Sequence, residues 1–252
     1  MSFPADVSVL ITGAASGIGK ATAERLYAEG VRRFALVDIN SAAPTLPDAD
    51  VLQLNGNVAD PSTWEEAERA ITQRFGRLDF AVVNAGVSGA GPIVDLSFDE
   101  WRRVLSVNLD GAFLTLRAAM RLITGAGAIV VVSSISGIKA EPGVAAYGAS
   151  KAAAAHLAKV AAKEGAARGL RVNAILPGGV DTPIWNGMAF FDDMVRDLGS
   201  REAALQAMAS TATPLGRFAT ADEIAGQIAF LLSDAAATIT GALLPSDGGY
   251  SL

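Results

Sequence analysis

Short runs of apolar, often β-branched residues alternate with longer amphipathic segments along the whole chain. The apolar runs are residues 7–12, 34–38, 51–54, 80–84, 128–133, 172–176 and 239–244. The helical segments are residues 17–29, 61–75, 98–123, 145–168 and 222–232. Because the runs are almost continuously apolar, they are typical of strands that are buried on both faces. Their order predicts an α/β fold, with a parallel sheet of about seven strands and helices on both faces.

The chain is expected to form a single domain over residues 1–252, because no linker or internal repeat divides it. One connection departs from the strand–helix pattern. Residues 39–50 separate the second and third runs and include Pro44 and Pro47, which leaves little room for a helix. We predict a loop or a single turn there.

Composition excludes several classes of function. The chain has 20 Lys and Arg against 26 Asp and Glu, a formal net charge of −6, so we expect no binding to nucleic acid or to an anionic membrane. It has no cysteine and one histidine, His156, so neither a metal site nor a Ser-His-Asp hydrolase is expected. Because the sequence has no secretory signal pattern and no long apolar span, we expect a cytoplasmic location.

A glycine-rich turn follows the first predicted strand and leads into a helix. Gly13, Gly17 and Gly19 let the backbone approach a phosphate, and the helix N-terminus offers unpaired N–H groups to it. Asp38 ends the second strand, 19 residues after Gly19, close to the spacing at which an acidic side chain binds the adenosine ribose. The alternatives are a turn without a ligand and an Asp38 that caps this turn.

A tyrosine and a lysine near the start of a predicted helix form the strongest catalytic signal. Tyr147 and Lys151 are four residues apart, so they lie on one helical face, where an ammonium favours the phenolate and lowers the phenol pKa. Ser134 comes 13 residues before Tyr147, directly after the fifth predicted strand, at the edge where parallel sheets bind ligands. Ser133 is the alternative to Ser134.

With these motifs the chain resembles a short-chain dehydrogenase/reductase over essentially its whole length, in an NAD-preferring form. The resemblance rests on Thr12 to Gly19, Asn84-Ala85-Gly86, Asn108, the Ser134, Tyr147 and Lys151 set, and Pro177-Gly178. It implies a Rossmann-like, doubly wound fold. It also implies an oxidoreductase that transfers a hydride between NAD(H) and a secondary alcohol or ketone.

The resemblance assigns roles to four residues. Tyr147 is the acid/base, and Lys151 lowers its pKa and binds the nicotinamide ribose. Ser134 positions the reacting carbonyl or hydroxyl, and Asn108 holds a water of the proton relay.

The resemblance also implies a set of cofactor-binding residues. They are Gly13, Ser16, Gly17, Ile18, Gly19, Asp38, Asn57, Val58, Asn84, Ala85, Gly86, Tyr147, Lys151, Pro177, Gly178, Val180 and Thr182. Asn57 stands where the family usually has an aspartate, although its side-chain oxygen is also a hydrogen-bond acceptor. Asn84 is explained equally well by a structural role at the sheet edge.

NAD is the expected cofactor, because Asp38 would repel a 2′-phosphate and the next residues, Ile39 and Asn40, supply no cation. One alternative is an NADPH-dependent ketoreductase of the 3-oxoacyl carrier-protein type. Such proteins usually have a Thr-Arg pair after Asn-Ala-Gly, where this chain has Val87-Ser88. A second alternative is a non-catalytic nicotinamide-binding regulator, against which the complete catalytic set argues.

The family's variable substrate loop corresponds to residues 183–214. The residues expected to contact a small-molecule substrate are Ser134, Tyr147, Trp185, Met188 and Phe191. The apolar side chains favour an apolar or cyclic alcohol, although packing of the loop or an oligomer contact explains them equally well.

The resemblance finally implies a homotetramer, in which the segments 98–123 and 145–168 pair with those of a second copy. Alanines along residues 145–168 allow a helix to approach closely, or else they serve the side that faces the sheet.

Overall fold

The structure, a computed structural model, describes residues 2–42 and 44–252. Its strands are β1 (Ser8–Thr12), β2 (Arg33–Asp38), β3 (Asp50–Asn55), β4 (Phe80–Val83), β5 (Gly127–Val132), β6 (Leu170–Pro177), β7 (Val180–Asp181), β8 (Ala219–Thr220) and β9 (Leu243–Ser246). Seven of them form one parallel sheet in the order β3-β2-β1-β4-β5-β6-β9, and β7 pairs with β8 separately.

Helices cover both faces of the seven-stranded sheet. They are α1 (Gly17–Ala28), α2 (Pro61–Phe75), α3 (Phe98–Leu105), α4 (Gly111–Leu122), α5 (Ala145–Gly165), α6 (Ala189–Leu198), α7 (Arg201–Ala212) and α8 (Ala221–Leu232). One core holds residues of α2, α4 and α5, and the other holds residues of α1 and α8. The predicted doubly wound α/β fold is confirmed.

The strands are apolar at successive positions because both faces of the sheet are buried. In β1, Leu10 belongs to the core that contains Trp64 of α2, whereas Val9 and Ile11 belong to the core that contains Leu26 of α1. Alternate side chains of a strand point to opposite faces. The central strands therefore need apolar residues at most positions, and this explains why the apolar runs lack a two-residue periodicity.

The strand order creates a crevice at the carboxyl edge of the sheet. The chain runs outward from β1 to β2 and β3 and then returns to β4 on the other side of β1. Thr12 joins the two neighbouring strand ends, because its Oγ1 accepts the N–H groups of Asn84 (3.0 Å) and Ala85 (3.2 Å). Open α/β sheets bind ligands at such a reversal of strand order.

Two expectations for connecting segments had different outcomes. The connection between β2 and β3 contains no helix among its described residues, as predicted; position 43 lies outside the described residues. The segment 183–214 was expected to be a loop, but it contains α6 and α7.

Two predicted elements also needed correction. The helical segment 98–123 is interrupted by a π-helical turn at Ser106–Asp110, which separates α3 from α4. The last strand begins at Leu243 rather than at residue 239, because Gly241 has a φ of 72° and the backbone cannot continue as a strand through it.

His156 lies exposed on α5, and among the described residues no cluster of three or more potential metal-ligating side chains occurs. In the described part of the chain, no helix is both long and apolar enough to cross a membrane.

Candidate active site

A cavity of about 880 Å³ lies at the carboxyl edge of the sheet. Its walls include residues that end or follow β1, β2, β4, β5 and β6, together with the start of α5. It reaches from Asp38, beside the glycine-rich turn, to Tyr147 and Lys151. The cavity therefore brings the predicted cofactor-binding and catalytic motifs to one place.

The glycine-rich turn brings the start of α1 close to the end of β1. Gly13 has a φ of 66°, which disfavours other residues, and a Cβ on Gly19 would overlap the carbonyl oxygen of Gly13. Ser16, Gly17 and Gly13 line the cavity, whereas Gly19 is buried and does not. Gly19 therefore shapes the turn and does not face the cavity.

Asp38 holds the glycine-rich turn and also lines the cavity. Its Oδ2 accepts the N–H of Ala15 at 2.9 Å, and its Oδ1 accepts the N–H of Asn40 at 2.8 Å. Asp38 thus caps the turn, as one of the alternatives proposed. Each carboxylate oxygen keeps a second lone pair, so Asp38 is still able to accept hydrogen bonds from ribose hydroxyls.

Two asparagines predicted to bind the cofactor have structural partners. Asn57 is exposed, and its Oδ1 accepts the N–H of Ala59 at 3.0 Å. The Asn84 side chain donates to the carbonyl oxygens of Thr12 (2.9 Å) and Gly13 (3.3 Å), so it braces the edge between β1 and β4. Both residues line the cavity, but their side chains already serve the fold.

Ser134 and Tyr147 are hydrogen-bonded through their side-chain hydroxyl groups. The neighbouring Ser133 instead donates its hydroxyl to the carbonyl oxygen of Lys151 at 2.7 Å. Ser134 is only 6% exposed and begins the loop that leads to α5. The structure therefore places Ser134, and not Ser133, against the tyrosine.

Lys151 is a buried cation, with 5% of its surface exposed. Its Nζ donates to the carbonyl oxygen of Val132 at 3.0 Å and lies 5.8 Å from the centre of the Tyr147 ring. Burial lowers the pKa of Lys151 to about 8, because the charged form is desolvated. At neutral pH the side chain is still mostly protonated.

Burial raises the pKa of Tyr147, and the hydrogen bond with Ser134 opposes this only in part. This direction differs from the expected lowering by Lys151. Desolvation of the phenolate is the largest effect on the pKa in this position, and the Lys151 ammonium lies 5.8 Å from the ring centre. The tyrosine is therefore protonated at neutral pH.

Asn108 lies in the π-helical turn and does not line the cavity, although its neighbour Val107 does. The Asn108 side chain accepts the N–H of Val87 at 2.8 Å and donates to the Val87 carbonyl oxygen at 2.9 Å and to the Ser150 hydroxyl at 3.1 Å. The side chain thus ties the turn to the segment after β4. Its role in a water relay stays a prediction.

The substrate side of the cavity is largely apolar. Trp185 and Met188, both predicted to contact the substrate, line this side of the cavity. Trp185 also stacks on Phe218, with ring centres 5.9 Å apart. Phe191 does not line the cavity. It is 1% exposed and packs with Ala204 and Leu205 between α6 and α7, whereas its neighbour Phe190 lines the wall.

Several cavity residues were not found from the sequence. They are Glu141, Met208, Thr211, Phe218 and Tyr250. Their positions in the sequence follow no motif spacing, and they meet only because the loop before α5, the α6–α7 pair and the C-terminal turn converge.

The remaining residues predicted to bind a cofactor also line the cavity. Ile18, Val58, Ala85, Gly86, Pro177, Gly178, Val180 and Thr182 all line the cavity. The cavity begins at a helix N-terminus suited to a pyrophosphate and ends at a buried ammonium beside two hydroxyl groups. A Cβ on Gly86 would lie 3.2 Å from the Lys151 Nζ, so a glycine at this position keeps the space beside the ammonium open. These features fit a nicotinamide dinucleotide.

The comparisons with known proteins identify the family of this chain. A family model described as enoyl-(acyl carrier protein) reductase matches residues 13–251. Levodione reductase of Leifsonia aquatica is 37% identical, over 98% of this chain and 94% of that protein. A crystal structure of levodione reductase superposes with a TM-score of 0.90 at 37% identity and covers 99% of both chains.

Two further relatives show the range of activities. Cis-4-hydroxycyclohexanecarboxylate dehydrogenase of Sinomonas cyclohexanicum is 39% identical, over 96% of this chain and 95% of that protein. The 3-oxoacyl-[acyl-carrier-protein] reductase of Thermotoga maritima is 36% identical, over 95% of this chain and 96% of that protein.

Together with these relatives, the fold and the site indicate an oxidoreductase that uses a nicotinamide cofactor. The chain belongs to the short-chain dehydrogenase/reductase family. Dehydrogenases of this family use nicotinamide cofactors, and the named relatives act on alcohols and ketones.

Proposed function

We propose that this protein is an NAD-dependent dehydrogenase/reductase of a secondary alcohol or ketone, with an apolar or cyclic substrate. The observation that carries this proposal is the hydrogen-bonded pair of Ser134 and Tyr147 beside the buried Lys151. Two hydroxyl groups positioned next to a cation are suited to hold a carbonyl oxygen and to exchange a proton with it.

Each of these side chains has a separate task. Ser134 donates a hydrogen bond to the substrate oxygen and orients it toward Tyr147. Tyr147 gives its phenolic proton to that oxygen in reduction and takes it back in oxidation. Lys151 holds positive charge behind this exchange and also binds the cofactor ribose. Bound nicotinamide supplies the hydride donor or acceptor.

The raised pKa of Tyr147 makes the phenol the resting form at neutral pH. The site is therefore prepared to act as an acid in ketone reduction. Alcohol oxidation needs the phenolate, so we expect oxidation to become faster as the pH rises above neutrality.

The preference for NAD is supported by the charges along the cavity. Among the described residues that line it, Lys151 is the sole cation, and it lies far along the cavity from Asp38 in the catalytic set. The basic residues nearest to the start of β2, Arg32 and Arg33, are engaged elsewhere. Arg32 donates to the carbonyl oxygens of Tyr27 and Val31, and Arg33 donates to that of Asp6.

The preference for a cyclic substrate is supported by the apolar wall of Trp185, Met188, Phe190 and Phe218. Flat aromatic faces and a long thioether side chain suit the surface of a carbocyclic ring. Two of the relatives, levodione reductase and cis-4-hydroxycyclohexanecarboxylate dehydrogenase, bear names of cyclic substrates.

An NADPH-dependent 3-oxoacyl carrier-protein reductase is the second candidate, because relatives of that name are 34% to 36% identical. A carrier-protein substrate arrives with phosphate and acidic protein surface, which favour basic side chains around the entrance. The described cavity lining offers no arginine.

The test is a spectrophotometric screen that follows NADH and NADPH at their absorbance band. The substrates are cyclohexanol, linear secondary alcohols, sugars, steroids and an acetoacetyl thioester, each assayed with both cofactors in the appropriate direction. We expect turnover of a ring alcohol with NAD. Turnover of the thioester alone, with NADPH, would support the second candidate. If the protein bound NADH but turned over none of these substrates, the result would favour the non-catalytic nicotinamide-binding regulator.

A homotetramer is part of the same proposal, but its support has changed. The α5 alanines 154, 155, 158, 161 and 162 are buried within this chain, so they serve its own core. The exposed apolar residues Phe98, Phe113 and Val160 on α3, α4 and α5 supply the remaining support. Light scattering at micromolar concentration would detect the tetramer, and a monomer would refute it. The cytoplasmic location stays a prediction.

A further inference from the structure

A polar corner interrupts the apolar substrate side of the cavity. Two of its members, Glu141 and Tyr250, line the cavity, and Lys139 lies beside them. Glu141 comes from the loop between Ser134 and Tyr147, and Tyr250 comes from the C-terminal turn. Neither residue belongs to the catalytic set or to the glycine-rich turn, and the reaction described above does not use them.

The three side chains of this polar corner are held together by specific contacts. The Lys139 Nζ lies 3.2 Å from a Glu141 carboxylate oxygen and donates to the carbonyl oxygen of Tyr250 at 2.8 Å. The same ammonium lies 3.5 Å from the centre of the Tyr250 ring. The Tyr250 hydroxyl and the Glu141 carboxylate are hydrogen-bonded to each other. Lys139 therefore fixes both residues at the cavity wall.

The hydrogen-bonding character of the corner follows from these contacts. An ionised carboxylate only accepts hydrogen bonds, and Tyr250 uses its single O–H proton toward Glu141. Hydrogen bonds from Tyr250 and Lys139 keep the pKa of Glu141 below its usual range, and burial together with the hydrogen bond to Glu141 raises the pKa of Tyr250 to about 12. What the two side chains have left to offer a cavity ligand is therefore lone pairs.

We propose that the Glu141–Tyr250 pair is a specificity determinant that recognises a second hydroxyl group of the substrate. The proposal rests on the proposed function, because it describes the far end of the same substrate. A neutral ring with a remote O–H donates to the pair, while its apolar surface packs against the aromatic wall. A remote carbonyl brings acceptor atoms only, and a remote carboxylate adds charge repulsion with Glu141.

The test compares cyclohexanols that differ in one substituent away from the reacting carbinol. The probes are cyclohexanol, cyclohexane-1,3-diol, cyclohexane-1,4-diol, 4-hydroxycyclohexanone and 4-hydroxycyclohexanecarboxylate. In the unmodified enzyme we expect kcat/KM for at least one diol to exceed that for cyclohexanol about tenfold or more, with the carboxylate poorest. Diols no better than cyclohexanol would overturn the proposal.

Two conservative variants locate the effect. Glu141→Gln and Tyr250→Phe should remove most of the diol preference and leave kcat/KM for cyclohexanol within about threefold of the parent. Glu141→Gln should also improve the carboxylate substrate, because it removes the like charge. Glu66→Gln, on the exposed face of α2, is the matched control. If either variant lowered activity toward cyclohexanol and the diols equally, the pair would be merely structural.

A binding measurement separates this proposal from the proposed function. In Tyr147→Phe with NADH, quenching of tryptophan fluorescence reports dissociation constants, since Trp185 lines the cavity. We expect the diols to bind more tightly than cyclohexanol even if no alcohol is turned over. Equal dissociation constants would overturn the second-hydroxyl site, whereas the absence of turnover with an intact binding order would overturn only the proposed reaction.

Discussion

The two sides of the cavity are built in different ways. The cofactor side consists of the glycine-rich turn, Asp38 and the segments that follow β4 and β6, all anchored to the central sheet. The substrate side consists of residues 183–218, which contain a small core of their own, together with Glu141 and Tyr250. The catalytic residues lie between them, at the end of β5 and the start of α5.

The comparison indicates that the residues on the cofactor side and the residues that contact the substrate are packed in different ways. Residues on the cofactor side are held by backbone hydrogen bonds between neighbouring strands, so their positions depend on the whole fold. The substrate side depends on a local cluster of Phe191, Ala204 and Leu205. Such a cluster is free to change without disturbing the sheet.

The largest expected effect is at the junction between the two sides. Tyr147→Phe keeps the ring and removes the proton donor, so kcat should fall about 10²- to 10⁴-fold while NADH binding is retained. Steady-state kinetics and a fluorescence titration with NADH measure the two effects. Tyr27→Phe, on α1 and outside the cavity, is the control. Turnover above about a tenth of the parent rate in Tyr147→Phe would contradict the acid/base role.

A matched pair of phenylalanines tests the small core of the substrate side. Phe191→Ala removes a buried side chain and should lower the free energy of unfolding of this region by about 3–5 kcal/mol. Phe190→Ala, half exposed at the wall, should change stability by about 0.5 kcal/mol or less and should mainly raise KM for a ring substrate. Thermal unfolding and hydrogen exchange of α6 and α7 distinguish them. Equal destabilisation by the two variants would contradict the proposal that Phe191 belongs to the core and Phe190 to the cavity wall.

Lys151→Met should stabilise the protein while it damages turnover and cofactor binding. The pKa of Lys151 is about 8 in the folded state, against an ordinary value of 10.5, so the protonated lysine destabilises the folded state relative to the unfolded state. This destabilisation is fully present below about pH 8 and disappears as the pH rises through 10.5. Removing the amine should therefore add stability, on the order of 3 kcal/mol at neutral pH.

The gain from Lys151→Met should shrink when unfolding is measured at pH 10 instead of pH 7. Lys159→Met, an exposed position on the same helix, is the matched control and should change stability only slightly. A loss of stability in Lys151→Met at pH 7 would mean that the hydrogen bond to Val132 outweighs desolvation. Unchanged cofactor affinity and kcat would instead exclude the ribose-binding role.

The smallest of these effects concerns cofactor choice. Asp38→Asn removes the charge but keeps an acceptor, so the preference of kcat/KM for NAD over NADP should narrow about tenfold, or about 1.4 kcal/mol. Adding Asn40→Arg to this variant should narrow the preference for NAD further. Asp48→Asn, exposed and outside the cavity, is the control. Equal use of NAD and NADP by the unmodified protein would contradict the proposal for Asp38.

The sequence was most informative at positions where the local backbone geometry requires a particular residue. Gly13 and Gly19 are required by a backbone turn, and Tyr147 and Lys151 share a helical face because they are four residues apart. These relations are short in sequence, so their spacing reveals them. The apolar runs revealed the buried sheet in the same way, since both faces of every central strand need apolar side chains.

Three features depended on contacts between distant segments. Asp38 proved to cap the turn at Ala15, Phe191 proved to be buried while Phe190 lines the wall, and burial shifted the pKa of Tyr147 upward. Helical periodicity over 98–123 also gave no sign of the π-helical turn around Asn108. Desolvation and packing depend on every surrounding segment, and spacing along the chain does not report them.

The sequence by itself determined the sheet, the dinucleotide-binding turn and the chemical groups of the catalytic set, because local backbone geometry and burial on two faces demand particular residues. Only the tertiary structure decided which aromatic residues form the wall. It also decided that Glu141 and Tyr250, 109 positions apart, meet at one corner of the cavity. Contacts of that range are set by how whole elements pack, and no local pattern encodes them.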